Sequence, residues 1–316
     1  MHIPDGFLDA KTAVATAGLA AGGLGIALRQ VRRHLPRRKI PLLGLAAAFV
    51  FAAQMLNFPV AGGTSGHLVG GVLTAVLLGP SAAVIVLTSV LLVQCVLFAD
   101  GGVTALGANM FNMGLIGGVV GYAIYRVVRT ISPGTRGTVA AAAFAAWCST
   151  VLAAIVCAGE LALSGTVSWS VAFPAMANVH MLIGVGESLI TALVIVAIAR
   201  ARPELLDPNT RETNGLGYAP VLAFGLLISL GLAMFVAPFA CSWPDGLDKV
   251  AQALGFEHRA AGQPLIPSPI PEYHLPGVAS ASIATALAGV IGTVIVFGLA
   301  FLLARWLVPK PVPNPN

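Results

Sequence analysis

Charge is what this sequence has least of. Asp, Glu, Lys and Arg make up 9% of its 316 residues, against about 25% in an ordinary soluble domain, and that shortage excludes a water-soluble globular fold. No segment matches the phosphate-cradling pattern GxxxxGK[ST], and no kinase or hydrolase signature is present, so this chain is read as neither an ATPase nor an enzyme. Cysteine is scarce as well. Cys95, Cys148, Cys157 and Cys241 lack CxxC or zinc-like spacing, and three of them lie in apolar runs, where a thiol behaves as a small hydrophobe. Neither a disulfide nor a zinc site is expected, and no cofactor is called for. The first residues also lack the Lys/Arg region of a secretory leader, and Pro4, Asp5 and Asp9 interrupt any apolar core it would need. The mature chain is therefore expected to begin at Met1, which is retained ahead of a residue as bulky as His2.

What is abundant is apolar length. The chain is 57% hydrophobic with a mean hydropathy of +0.90, and runs near 20 residues recur, the length a helix needs to cross a bilayer. Nine spans are read, at 12–31, 40–58, 65–79, 82–98, 107–128, 138–163, 175–199, 219–240 and 279–305. The third is short and glycine-rich, so part of it is expected to pack against protein, and Gly79-Pro80-Ser81 marks the turn that follows it. With the N-terminus outside, fourteen of the seventeen Lys and Arg residues fall on inner segments; only Lys11, Lys249 and Arg259 stay outside. The net charge of +5 is thus a topology signal with the C-terminus inside, and nucleic acid is excluded as a partner.

The fold class is therefore all-α: a polytopic membrane protein of about seven transmembrane helices, with two further ones flanking an extracytoplasmic segment. The reading divides the chain into a membrane domain at 1–202, a cytoplasmic linker at 203–218 and a second domain at 219–316. The outer segment of the latter holds a short amphipathic helix (Leu247, Val250, Ala251, Leu254) and a proline-rich stretch. Pro4-Asp5-Gly6 recurs there as Pro244-Asp245-Gly246, a tripeptide that suits a reverse turn wherever it falls.

The N-terminus carries the chemistry. The α-amine of Met1, the His2 amide nitrogen and the His2 imidazole can close two fused chelate rings on one ion, five-membered and then six-membered through Nδ1. The amide must lose its proton, which only a strongly polarising divalent ion drives, and three coplanar nitrogens favour the square-planar preference of Ni(II) or Cu(II), with low-spin Co(II) a third option. Pro4 has no N–H to compete. A fourth ligand is available at matching depth: His67, in NFPVAGGTSGHLVGG, sits at the outer end of the third span. Of the other intramembrane polar groups, Asn57, Asn109 and His180 are candidate outer-shell partners of such a site. Gln94, Asn112 and Glu187 are read as interhelical hydrogen-bond pins. His258 and His274 read as solvated loop residues, and His34 belongs to a basic inner cluster suited to anionic headgroups. Small residues at fourfold spacing (Ala13/Ala17/Ala21, Ala48/Ala52, Gly114/Gly118) permit close helix contact, which is assigned to packing within the chain.

Four segments carry a family resemblance: MHIPDGFLD, NFPVAGGTSGHLVGGVL, LLVQCVLFADGGVTALGANMFNMG and HMLIGVGESLIT. They closely resemble the substrate-binding membrane component of nickel and cobalt energy-coupling factor (ECF) transporters, the CbiM/NikM group. The remainder, with CSWPDGLDKVAQALGF, looks like the small NikN companion carrying a PDGLE-type domain, with Asp248 where that motif has glutamate. The resemblance implies that the ion is held by the terminal amine, the His2 amide and imidazole, and a histidine matching His67. It also implies two kinds of partner: a transmembrane coupling (T) subunit and cytoplasmic ATPase (A) subunits. The leading expectation is the substrate-capture component of an ATP-driven importer of Ni(II) in the inner membrane of a prokaryote. The runner-up is the same role for Co(II) supplying cobalamin synthesis, and a self-contained secondary transporter or channel is a weaker alternative.

Overall fold

A computed structural model describes residues 2–206, 217–262 and 265–309. Its helices are α1 (Ala10–His34), α2 (Ile40–Gln54), α3 (Gly71–Leu78), α4 (Pro80–Phe98), α5 (Leu106–Ile131), α6 (Gly134–Leu163), α7 (Trp169–Ala201), α8 (Ala219–Phe239), α9 (Gly246–Leu254) and α10 (Ala281–Leu307). One antiparallel hairpin interrupts them, β1 (Phe58–Val60) against β2 (Thr64–Gly66), with Phe58 opposite Gly66. The helix ends follow local chemistry. Asp9 caps α1 by accepting from Thr12 N at 2.9 Å, while Arg32, Arg33 and His34 occupy the last turn, where the helix dipole favours cations. Within α5, residues Met110–Val120 widen into a π-helix, a distortion common where a helix serves a site.

Among the described residues, seven helices are long and apolar enough to cross a membrane: α1, α4, α5, α6, α7, α8 and α10. The two other expected spans fall short. At 40–58 the helix is α2, with 15 residues and thus about 22 Å long against a hydrocarbon core of about 30 Å. The span expected at 65–79 contracts to α3, with 8 residues, or about 12 Å. The cause is glycine: Gly62 and Gly63 (φ 86° and 71°) turn the chain into the hairpin, and Gly70 (φ 77°) delays the helix start. An apolar run says that a segment avoids water, and both short helices do so inside protein. Leu43, Ala47, Phe51, Val72 and Ala75 are all buried. The Gly79-Pro80 turn lies where expected, with Gly79 at φ 92° and Pro80 opening α4.

Small side chains bring the helices together. Ala141, Ala142, Ala145 and Ala146 of α6 are fully buried, and a methyl group on Gly107 of α5 would land 2.4 Å from Ala17 Cα of α1. On α10, a Cβ at Gly292 would lie 2.1 Å from the Phe51 ring, so the last helix is seated directly on α2. With no hydrophobic drive between helices in lipid, such close packing supplies much of the association energy. Gly71 meets unyielding main chain, since its Cβ would fall 2.7 Å from the Gly117 carbonyl carbon. Gly71→Val is expected to push α3 off α5 and destabilise the protein by about 1–3 kcal/mol, read as a lowered melting temperature in detergent.

The chain ends up polarised. Ser81 Oγ donates to Gln30 Oε1, joining the start of α4 to the end of α1 beside the basic cluster Arg29–Lys39. At the opposite end meet the first residues, the α4–α5 loop, the α6–α7 turn and α9. The latter is the expected amphipathic helix, burying Leu247, Val250 and Ala251. His258 and His274 are exposed at this end, as read from the sequence.

Candidate metal centre

The first residues are stitched into the bundle along their length. Ile3 and Phe7 are buried, Phe7 edge-on to Phe256 at 5.2 Å. Asn109 grips Ile3 at two points: Ile3 N donates to its Oδ1 at 2.8 Å, and its Nδ2 donates to Ile3 O at 3.1 Å. Gly102 N donates to the same carbonyl at 2.8 Å. Asp5 Oδ1 accepts from Thr104 N and Oγ1 at 2.8 and 2.6 Å, Asp5 O accepts from Ala261 N at 2.8 Å, and Phe7 O accepts from Thr166 Oγ1. Gly6, at φ 94°, lets Arg259 O come within 2.3 Å of where a Cβ would sit. The stiff Pro4-Asp5-Gly6 turn is therefore a plug held by α5, the α6–α7 turn and the outer segment.

This plug carries His2 to His67. Their rings are nearly parallel, 20° apart, with centroids 5.2 Å from each other. Two imidazoles sharing one ion through bonds of about 2 Å would have centroids roughly 4.5 Å apart at adjacent corners and ~6.3 Å at opposite ones, and the observed spacing falls between. Both ring nitrogens of His2 face acceptors: Nδ1 lies 3.2 Å from Asp100 Oδ1 and Nε2 lies 3.2 Å from Gln94 Oε1. Burial lowers the His2 pKa, which favours the neutral imidazole that metal coordination requires. Because the six-membered chelate ring runs through Nδ1, coordination there requires the contact with Asp100 to open.

His67 is presented with comparable care. It follows β2, and its Nδ1 is 3.1 Å from Leu68 O. The next two amides end on one buried carboxylate: Val69 N donates to Glu187 Oε2 at 2.5 Å and Gly70 N donates to Glu187 Oε1 at 3.0 Å. From the other side Gln54 Nε2 donates to Val69 O at 3.0 Å. β2 is itself tied to the outer segment, as Ser65 N donates to Pro244 O at 2.8 Å and Ser65 Oγ donates to Trp243 O at 2.7 Å. Asp245 caps α9 by accepting from Leu247 N and Asp248 N at 2.9 and 3.0 Å. With His67 and His180 it lines a cavity of about 10 Å³.

Of the three outer-shell candidates, Asn109 touches the plug directly. His180 adjoins His67, donates through Nδ1 to Met176 O at 2.8 Å, and turns Nε2 toward Gly246. Asn57 contributes its main-chain carbonyl to Cys241 N at 2.8 Å, tying the outer segment to the hairpin. Met1 lies outside the described residues. Among the described residues no three His, Cys, Asp or Glu side chains gather into a metal-holding group, so an ion bound between His2 and His67 would draw further donors from the main chain. The reading of polar pins holds for Asn112, whose Nδ2 donates to Glu160 Oε2 at 2.7 Å. Glu187 of α7 is likewise a pin, on the amides that lead into α3, while Gln94 of α4 bonds to His2 instead of to another helix. Both were detectable as fully buried polar residues in apolar runs, but their partners are 117–118 and 92 residues away. Asp100 and Tyr273 gave no signal of this kind.

Residues 2–205 match the CbiM family, described as the cobalt uptake substrate-specific transmembrane region, and residues 219–309 match the PDGLE domain. A putative fused nickel transport protein NikMN of Archaeoglobus fulgidus is 37% identical over 308 residues, covering 97% of this chain and 99% of its own. The cobalt transport protein CbiM of Geobacter sulfurreducens is 32% identical over 288 residues, covering 84% and 81%. The crystal structure of a truncated transition metal transporter superposes with a TM-score of 0.59 at 34% identity, covering 64% of this chain and 99% of that one. The chain belongs to the CbiM family of metal transport proteins, with a PDGLE domain fused behind the family's membrane region.

Proposed function

We propose that this protein is the substrate-capture component of an ATP-driven ECF importer for Ni(II), binding the ion through the terminal amine, the His2 amide nitrogen, the His2 imidazole and His67. The observation that carries the reading is the meeting of His2 and His67, 65 positions apart, at 5.2 Å, with His2 on a plug bonded to the bundle at Ile3, Asp5 and Phe7. A planar four-nitrogen set suits Ni(II), and the fused nickel transport relative spans nearly the whole chain. Co(II) is the second reading, favoured by the cobalt transport relative; the same donors serve it in a low-spin state. The lack of a nucleotide-binding loop fits a division of labour in which T and A subunits supply the energy. The basic residues gathered at the end opposite the site support an outward-facing N-terminus in the cytoplasmic membrane.

Direct metal titration tests the assignment. Purified protein with its native first residue is expected to take up one Ni(II) in competition with a chromophoric chelator, with a d–d absorption of a planar nickel–amide complex. An octahedral spectrum, or tighter binding of Co(II) than of Ni(II), would overturn the nickel assignment. Asn109→Ala removes both bonds to Ile3 and is expected to weaken nickel binding about 10–100-fold, the usual effect of losing an outer-shell support. The same titration reads it.

A further inference from the structure

Besides its contacts around His67, the outer segment reaches the His2 side of the candidate site through Tyr273. Ile270 N donates to Leu97 O at 3.0 Å and Ser268 Oγ donates to the same carbonyl, laying residues 268–270 across the end of α4. Glu272 and Tyr273 then adopt left-handed backbones (φ 51° and 59°), a costly conformation for side chains of their size that persists only where surrounding contacts impose it. The result is that the Tyr273 ring stacks on Phe98 at 4.6 Å, and its hydroxyl donates to Asp100 Oδ2 at 2.5 Å. The other oxygen of that carboxylate is the one facing His2 Nδ1.

Two acceptors compete for the one proton of a neutral His2 ring. If Gln94 Oε1 takes the N–H, Nδ1 keeps the lone pair that the chelate uses. If Asp100 takes it, the lone pair sits on Nε2 and the chelate cannot close. A carboxylate is the stronger acceptor, so on its own Asp100 would select the wrong tautomer. A hydrogen bond already donated to Asp100 weakens its hold on a second proton. We propose that Tyr273 is a positioning residue for His2: by donating to Asp100 it shifts the imidazole toward the Nε2–H form held by Gln94, leaving Nδ1 open to the ion. The proton changes nitrogen by exchange with water, and none is gained or lost. The PDGLE region thereby prepares the metal ligand of the CbiM-like region without touching the ion. The inference rests on the nickel site proposed above.

The test is Tyr273→Phe in the full chain with its native start, since phenylalanine keeps the ring on Phe98 and loses only the hydroxyl. Nickel titration is expected to show at least about tenfold weaker binding. In the absence of metal, ¹⁵N spectra of labelled histidine should show His2 moving from Nε2–H to Nδ1–H. Adding Asp100→Asn, which weakens the competing acceptor, should reverse most of both effects. Binding within about threefold of the parent would overturn the proposal, and so would weaker binding with an unchanged His2 spectrum, which would reduce Tyr273 to a packing residue. Failure of the nickel site would appear separately, as unaltered nickel binding after the N-terminus is blocked, whereas the metal-free spectrum still decides the tautomer.

Discussion

Nickel binding is expected to fall by about a thousandfold or more when a Gly-Ser-Gly-Ser extension is placed ahead of Met1. Loss of an outer-shell contact alone costs roughly 10–100-fold in metal affinity, and the extension removes a direct ligand. It turns the terminal amine, a basic donor, into an amide that could bind only by losing its own proton, and it moves the free amine four residues away from the chelate. It also inserts four residues where the neighbouring chain is fully engaged, Ile3 being buried and bonded on both its amide and its carbonyl. The length of the extension matters. A single added residue would place histidine third behind a free amine, and two amides, the amine and the imidazole would then form a four-nitrogen chelate without His67. Metal content of purified native and extended proteins, with melting temperatures to establish folding, gives the answer. Stoichiometric nickel in the folded, extended protein would refute the site.

Replacing His67 by alanine should have the second-largest effect, about a hundredfold or more, again beyond the outer-shell range. The surroundings argue that the loss would be chemical. The main chain on either side of His67 is held by other residues, Ser65 by the Trp243 and Pro244 carbonyls and Val69 and Gly70 by Glu187. The peptide frame should therefore survive removal of the ring. Free imidazole added to the variant should enter the space and restore part of the planar nickel absorption. Retention of affinity within about threefold would show that the fourth donor lies elsewhere.

Much of the fold was legible because the bilayer imposes one length on every segment that crosses it. All seven long helices overlap their expected spans with ends shifted by a few residues, α10 for example at Ala281–Leu307 against 279–305. The exceptions share a cause. At 40–58 and 65–79 the chain is as apolar as a membrane span, yet the tight turn at Gly62-Gly63 and the late start at Gly70 shorten it. Hydropathy registers burial and cannot tell a lipid neighbour from a protein one. The pairing of His2 with His67 was legible from matching depth, a one-dimensional coordinate that topology supplies. The partners of Gln94, Asp100, Glu187 and Tyr273 were not, because each depends on which helix faces share a contact.

The sequence by itself determined that this is a multi-pass membrane protein, and it carries the Met1-His2 pair on which the proposed chelate rests. Those properties are local: they follow from composition, spacing and the covalent geometry of the first two residues. Only the tertiary structure decided that Ile3, Asp5 and Phe7 would be bolted to three separate elements, and that Glu187 would hold the loop after His67. It also decided that a tyrosine from the second region would reach the carboxylate beside His2. Hydrogen bonds between residues 92 or more positions apart depend on distances of a few tenths of an ångström, and such distances exist only once the helices have packed.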